Sequence, residues 1–154
     1  MDVSIQSYLL LGLLSVLTFY VGALVFGSGA VAPLVIRVLG EQTGGPLLRA
    51  YWPRYHAFAV AGGVLITIGA AVVSFMGDLT TKLALGYLIP AAVMTILFAI
   101  GWRLIPAINA ARDEGENARF DRLHKLDVML VSVGMLLGLG LAVAMLLTFP
   151  DLLS

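Results

Sequence analysis

Long runs of apolar residues, separated by short polar stretches, dominate the chain. Four runs are about 20 residues or longer, the length that an α-helix needs to cross a bilayer. We predict transmembrane helices over about residues 8–32, 54–76, 82–104 and 126–149. The pattern therefore predicts an all-α integral membrane protein, a four-helix bundle that fills residues 1–154 as a single domain.

The polar stretches have the residues of loops and turns. In the first loop, residues 46–52 predict a short interfacial helix, because aromatic side chains there suit headgroup depth. Gly77 and Asp78 predict a tight turn between helices two and three. The stretch 112–122 holds most of the charge and predicts helical extensions joined by a turn at Gly115.

Basic residues are distributed unevenly between the two sides. The chain has nine Lys and Arg residues, and only Lys82 lies outside the loops one-two and three-four. The eight on the shared side are Arg37, Arg49, Arg54, Arg103, Arg112, Arg119, Arg122 and Lys125. The positive-inside rule therefore predicts that both these loops are cytoplasmic and both termini non-cytoplasmic, in the cell inner membrane.

The two halves of the chain resemble each other weakly. Pro33 precedes His56 in the first half, and Pro106 precedes His124 in the second. This similarity suggests two tandem helical hairpins, related by an axis along the membrane normal. It would place the two histidines of the chain in one layer near the cytoplasmic ends of helices two and four.

Small residues indicate which helix faces pack, because helices in lipid associate where backbones approach closely. On helix one the stripe is Gly12, Phe19, Gly22, Phe26, Gly29 and Pro33. On helix two it is His56, Gly63, Thr67, Ala70 and Ser74, and on helix four His124, Asp127, Val131, Gly134 and Gly138. We therefore expect both histidines to face the interior of the bundle.

His56, His124 and Asp127 are the candidates for chemistry, because ionisable groups at membrane depth usually face an interior or a cavity. The two imidazoles could ligate haem, copper or zinc, with Asp127 as a third ligand or an orienting carboxylate. Tyr55 could stack on a planar cofactor, while Arg54 and Arg122 could bind its propionates or a phosphate. The simpler interpretation is an aromatic belt with topology-setting charges.

Composition removes several function classes. With no cysteine, the chain cannot form disulfides, zinc ribbons or iron-sulfur clusters, nor use a catalytic thiol. The sequence lacks the nucleophile-elbow, P-loop, zincin and dinucleotide-binding motifs, so we expect no enzymatic activity. The net charge is zero, so a nucleic-acid partner is not expected either.

Three segments, 22–33, 44–56 and 105–124, resemble the bacterial transmembrane-protein-205-like family of four-helix membrane proteins. The most specific features are Pro106 at the end of helix three, the Arg112-Asp113 turn, and the Arg119-Phe120-x-x-Leu123-His124 entry to helix four. The resemblance implies a domain of unknown function. Eukaryotic relatives are linked to resistance to platinum drugs, and the recurring histidines of the family match His56 and His124.

Two hypotheses from different classes follow. In the first, the protein is a non-enzymatic accessory or interaction subunit, which packs against lipid and partner helices or forms a homo-oligomer. In the second, it is a haem- or metal-binding membrane protein with a redox or transport role that uses the two histidines. The hypotheses differ in whether His56 and His124 converge on one point.

Overall fold

Apart from residues 79–80 and 114–116, the described part of the chain is helical. The computed structural model describes residues 5–76 and 79–148, and this part of the chain contains no strand. The elements are α1 (Ile5–Phe26), a π-helical turn (Gly27–Val31), α2 (Ala32–Met76), α3 (Thr81–Asp113) and α4 (Asn117–Thr148). Three continuous helical stretches, Ser7–Met76, Thr81–Asp113 and Asn117–Thr148, are long and apolar enough to cross a membrane.

The longest stretch is broken at Gly40, inside α2. Its backbone dihedrals are φ 68° and ψ 172°, which a glycine adopts readily because it has no Cβ atom. After Gly40 the chain returns along α1, since partners in α2 fall in residue number as those in α1 rise. These pairs are Leu13 with Gly69, Tyr20 with Ala59, and Leu24 with Tyr55. The second part of α2 is therefore antiparallel to α1.

A second chain reversal joins α3 to α4 at Gly115, which has φ 71°. Around it, the Glu116 amide donates to the carbonyl of Ala111 at 2.9 Å, so the last carbonyls of α3 are capped. The predicted turn at Gly115 is confirmed. The turn predicted at Gly77 and Asp78, between α2 and α3, lies outside the described residues.

The helices extend beyond the apolar runs that predicted them. Because α3 has 33 residues and α4 has 32, each is about 50 Å long at a rise of about 1.5 Å per residue. Residues 46–52, predicted as a separate interfacial helix, belong to α2. The polar residues of these extensions are exposed, so they continue the helices without entering the core.

Leucines, aromatic residues and glycines fill the core. One face of α1 is buried, with Leu10, Leu13, Leu14, Leu17, Tyr20, Val21 and Leu24 directed inward. Between α3 and α4, Phe98 lies over Gly134, and Met94 lies over Gly138. The predicted inward faces of α2 and α4 are buried over His56, Gly63, Ala70, Asp127, Val131, Gly134 and Gly138.

The small-residue stripe of α1 faces away from this core. Gly12, Gly22 and Gly29 are exposed, and a Cβ atom added at any of them would have no neighbour within 4 Å. Phe19, on the same face, is 78% exposed. Within the chain, α1 packs through its leucine face because that face fits between the other helices. The glycine face is left on the outside.

Candidate functional site

His56 lies completely buried on α2, with 0% exposure. Its Nδ1 atom is 2.9 Å from the carbonyl oxygen of Trp52, one helical turn earlier. Its Nε2 atom is 2.9 Å from Oδ1 of Asp127 on α4. One imidazole therefore links its own helix backbone to a second helix.

The protonation of this pair follows from its partners. The Trp52 carbonyl can only accept a hydrogen bond, and an ionised carboxylate likewise only accepts. Either both nitrogens of His56 carry hydrogens, or the carboxyl of Asp127 carries one and donates it to Nε2. In both arrangements the pair holds one proton more than a neutral imidazole beside a carboxylate, so its net charge is zero. Zero net charge suits a buried site, because an uncompensated charge there is costly.

Gly101 of α3 provides the space for the pair. A Cβ atom at this position would lie 2.8 Å from Oδ1 of Asp127 and 3.3 Å from Nε2 of His56. Three helices thus meet at one level, and α3 has a glycine there because a side chain would collide with the pair. This glycine could not be singled out from the sequence, since its role depends on side chains from two other helices.

Aromatic side chains surround the buried imidazole. The Tyr55 and Trp52 rings lie with centroids 5.5 and 6.3 Å from that of His56. The Tyr55 hydroxyl donates to the carbonyl oxygen of Leu24 at 3.0 Å. The Tyr55 ring also packs against Gly27, the first residue of the π-helical turn. Tyr55 therefore holds α2 against α1 and the π-helical turn.

The remaining predicted site residues lie elsewhere. His124 is exposed and stacks on Phe120, with ring centroids 5.6 Å apart. Arg54 is exposed and donates to the carbonyl of Ala50, and Arg122 is also exposed. The structure thus brings together His56, Asp127 and Tyr55, but not His124, Arg54 or Arg122. Haem or metal binding by these residues stays a prediction, and the described residues include no group of three or more His, Asp or Glu poised to hold a metal.

A second polar feature lies between α2 and α3, in a cleft of about 400 Å³. Arg49 donates from Nη1 and Nη2 to the two carboxylate oxygens of Asp113, at 2.6 and 2.5 Å. Below this ion pair, the cleft is lined by Pro53, Trp102, Ile105, Pro106, Asn109 and Ala110. From the sequence, Arg49 was a topology-setting charge that could also bind an anionic lipid or phosphate, and Asp113 was a charge of the polar stretch. Their pairing depends on residues 46–52 continuing α2, where the sequence predicted a separate interfacial helix.

Comparison with known proteins identifies a family but no activity. No curated protein and no solved structure matches the chain. Residues 10–117 match the family described as a domain of unknown function, DUF4149. The match covers α1 from Leu10 onward, all of α2 and α3, and the first residue of α4. It includes His56, Gly101 and the Arg49–Asp113 pair. The closer resemblance to transmembrane-protein-205 relatives stays a prediction. Because the match spans more than half of its residues, the chain belongs to the DUF4149 family of domains of unknown function.

Proposed function

We propose that this protein is a non-enzymatic interaction subunit of the cell inner membrane, which crosses the bilayer four times and packs against lipid and partner helices. The observation that carries the proposal is the outward-facing small-residue stripe of α1. We define this stripe as Gly12 and Gly22 of α1 together with Gly29 of the π-helical turn that follows it. A Cβ atom added at any of these three glycines would have no neighbour within 4 Å.

Four crossings are supported by the distribution of charge. Residues 5–36, 55–76, 83–102 and 128–148 contain no Asp, Glu, Lys or Arg. Each stretch is about 20 residues or longer, so each spans about 30 Å as a helix, which is the hydrocarbon thickness of a bilayer. The reversal at Gly40 allows α1 and α2 to cross separately. The basic excess beyond these stretches supports cytoplasmic loops one-two and three-four.

The stripe is suited to a helix from outside the chain. In lipid, two helices associate where small residues let their backbones approach, because lipid chains are as apolar as the side chains. Inside the chain, Gly134 and Gly138 already serve this purpose beneath Phe98 and Met94. The stripe offers the same kind of surface on the outer face of α1, where lipid or a partner helix would cover it.

The buried polar pair supports a structural role in the same protein. Both nitrogens of His56 already have partners within the chain, in Trp52 and Asp127. A metal ion would have to displace one of them. The pair therefore fastens α2 to α4 and supports a rigid unit that presents the stripe of α1.

The stripe can be tested by Gly22→Leu, which adds a side chain where the structure has open space. We expect wild-type protein in mild-detergent extracts of native membranes to migrate as a complex larger than the monomer, and the variant to lose it. Ala61→Leu is the matched control, since Ala61 is also small and exposed but lies on α2. A monomeric wild-type protein, or a complex that survives in the variant, would refute the proposal.

The topology can be tested separately, because the chain has no cysteine of its own. Single cysteines at Glu41, Glu116 and Thr80 would report on the two basic loops and on the opposite side. We expect a membrane-impermeant maleimide to label Thr80→Cys in intact cells and the other two only after permeabilisation. Labelling of Glu41→Cys and Glu116→Cys from opposite sides would exclude four crossings.

A further inference from the structure

In the proposed four-crossing topology, the cleft between α2 and α3 lies at the depth where a bilayer changes from hydrocarbon to headgroups. It begins at Trp102, at the end of the charge-free stretch of α3, and it reaches Asp113 at the end of that helix. Trp102 is 43% exposed, and tryptophan is enriched at this depth because its ring is amphipathic. The end of the cleft near Trp102 is apolar, and the end near Arg49 and Asp113 is charged.

The mouth of the cleft carries one charge of each sign. The Arg49 and Asp113 side chains are 49% and 53% exposed, so their pairing leaves both open to a further ligand. A guanidinium has five N–H groups, and only one on each of Nη1 and Nη2 is used by Asp113. Each carboxylate oxygen likewise keeps accepting capacity. A zwitterion can therefore bind both residues without separating them.

Two prolines add acceptors to the cleft. Pro53 and Pro106 both line it, and a proline has no N–H to donate to the carbonyl four residues earlier. The carbonyls of Arg49 and Trp102 therefore lack their usual intrahelical donor, and each lies beside one of the two proline rings. The Arg49 carbonyl belongs to a residue at the charged end of the cleft, whereas the Trp102 carbonyl lies about 16 Å before Asp113 along α3, so only the former could share the N–H donors of one ligand group with Asp113.

We propose that this cleft binds the headgroup of phosphatidylethanolamine, with its phosphate on Arg49 and its primary ammonium on Asp113. Arginine suits a phosphate because its planar donors match two phosphate oxygens. The ammonium has three N–H donors, which suit the carboxylate of Asp113 and the carbonyl of Arg49. The glycerol and upper acyl chains lie along Trp102, Ile105 and Pro106.

The same chemistry distinguishes this lipid from its neighbours in a membrane. The quaternary ammonium of phosphatidylcholine has no N–H to donate, so it could not hydrogen-bond to the carboxylate of Asp113. Phosphatidylglycerol carries a phosphate but no cation. Its binding beside Arg49 and Asp113 would therefore leave one negative charge unbalanced. This inference goes beyond the proposed function and rests only on its four-crossing topology, since the cleft and the stripe of α1 involve different helices.

The test uses fluorescence of Trp102 in a Trp52→Phe chain, which has no other tryptophan. The protein is reconstituted in nanodiscs of unlabelled phosphatidylcholine with a rising fraction of lipid that carries bromine, a quencher, on its acyl chains. Brominated phosphatidylethanolamine, its mono- and dimethyl forms, and brominated phosphatidylcholine form a series with falling N–H number. We expect brominated phosphatidylethanolamine to reach half-quenching at a mole fraction about tenfold lower than brominated phosphatidylcholine. A tenfold difference is the effect expected of one charge-assisted hydrogen bond.

Two variants locate the binding. In Asp113→Asn, the mole fractions of brominated phosphatidylethanolamine and brominated phosphatidylcholine at half-quenching should agree to within about twofold. The reason is that the amide lacks the negative charge that binds the ammonium. Arg103→Gln is the control, since Arg103 is next to Trp102 but does not line the cleft, and it should keep the preference. Equal quenching along the series in the Trp52→Phe chain would overturn the proposal without any further variant. Stronger quenching by brominated phosphatidylglycerol, or a preference that survives Asp113→Asn, would also overturn it.

Discussion

His56 on α2 and Asp127 on α4 share a hydrogen bond of 2.9 Å although they are 71 residues apart in the chain. With the carbonyl of Trp52 on the other ring nitrogen, the imidazole is held between two acceptors. The site is therefore a hydrogen-bonded link between two helices that holds an extra proton. It can be tested by substitutions that change the number of protons but keep the shape of the side chain.

Asp127→Asn should be tolerated, while Asp127→Ala should not. The asparagine amide can donate to Nε2, so a neutral His56 can donate from Nδ1 to Trp52 and keep both bonds. Alanine leaves Nε2 buried without a partner, which costs about 1 to 3 kcal/mol. Denaturant titration of the detergent-solubilised protein, followed by circular dichroism, measures both free energies of unfolding. Equal losses in the two variants would contradict the proton count.

Gly101→Ala should destabilise the fold, because its Cβ atom would come within 2.8 Å of Asp127. We expect a loss of about 1 to 3 kcal/mol, typical of overpacking a filled site. Gly86→Ala is the control on the same helix, since nothing lies within 4 Å of that position. It should be neutral or stabilise α3 by up to about 1 kcal/mol, the helix propensity of alanine over glycine. The thermal unfolding midpoints of both variants should separate accordingly.

Tyr55→Phe should cost about 1 kcal/mol or less, because it removes one buried hydrogen bond to Leu24. The loss is small since the Leu24 carbonyl also accepts from the Ser28 hydroxyl at 2.9 Å, and so keeps a partner. Tyr8→Phe provides the comparison, as Tyr8 is exposed, and should leave the free energy of unfolding unchanged. A loss several times larger for Tyr55→Phe would mean that the hydroxyl has another role.

Acid should break the Arg49–Asp113 pair only at unusually low pH. The hydrogen bonds and charge of Arg49 hold the pKa of the Asp113 carboxyl below its ordinary value. The contribution of the pair to stability is therefore complete above the ordinary pKa of an aspartate and is lost as the pH falls through the lowered pKa. Carboxyl carbon NMR of aspartate-labelled protein should follow this titration. Arg49→Gln should move the pKa of Asp113 upward, whereas Arg112→Gln should leave it unchanged.

The sequence predicted the helical class from the apolar runs and most of the inward faces of α2 and α4 from their small residues, but the expectation that His124 faces the interior is wrong, since His124 is exposed. It could not predict which face of α1 is buried. Leucines pack that helix within the chain, while the glycines that indicated a packing face point outward. Small residues identify a surface that a helix can approach, but they do not identify the helix that approaches it.

The candidate site was predicted in part. The structure brings His56 and Asp127 together beside Tyr55, while the ligand roles predicted for these residues stay predictions. The stacking of His124 on Phe120 and the space provided by Gly101 were not predicted. Helix rotation decides both, and a rotation of about 100° separates consecutive residues, so small errors in facing move a side chain from the core to the surface.

The sequence separation of His56 and Asp127 also constrains the order in which the protein is made. In the proposed topology, α2 reaches the bilayer while α4 has not yet been synthesised, so the imidazole arrives before its carboxylate. A lone polar group is tolerated near the end of a membrane helix much better than at its centre. His56 can therefore stay hydrated at the membrane surface until the second hairpin docks. Formation of the bond then marks the completion of assembly, and a chain truncated before α4 would keep this histidine accessible to water.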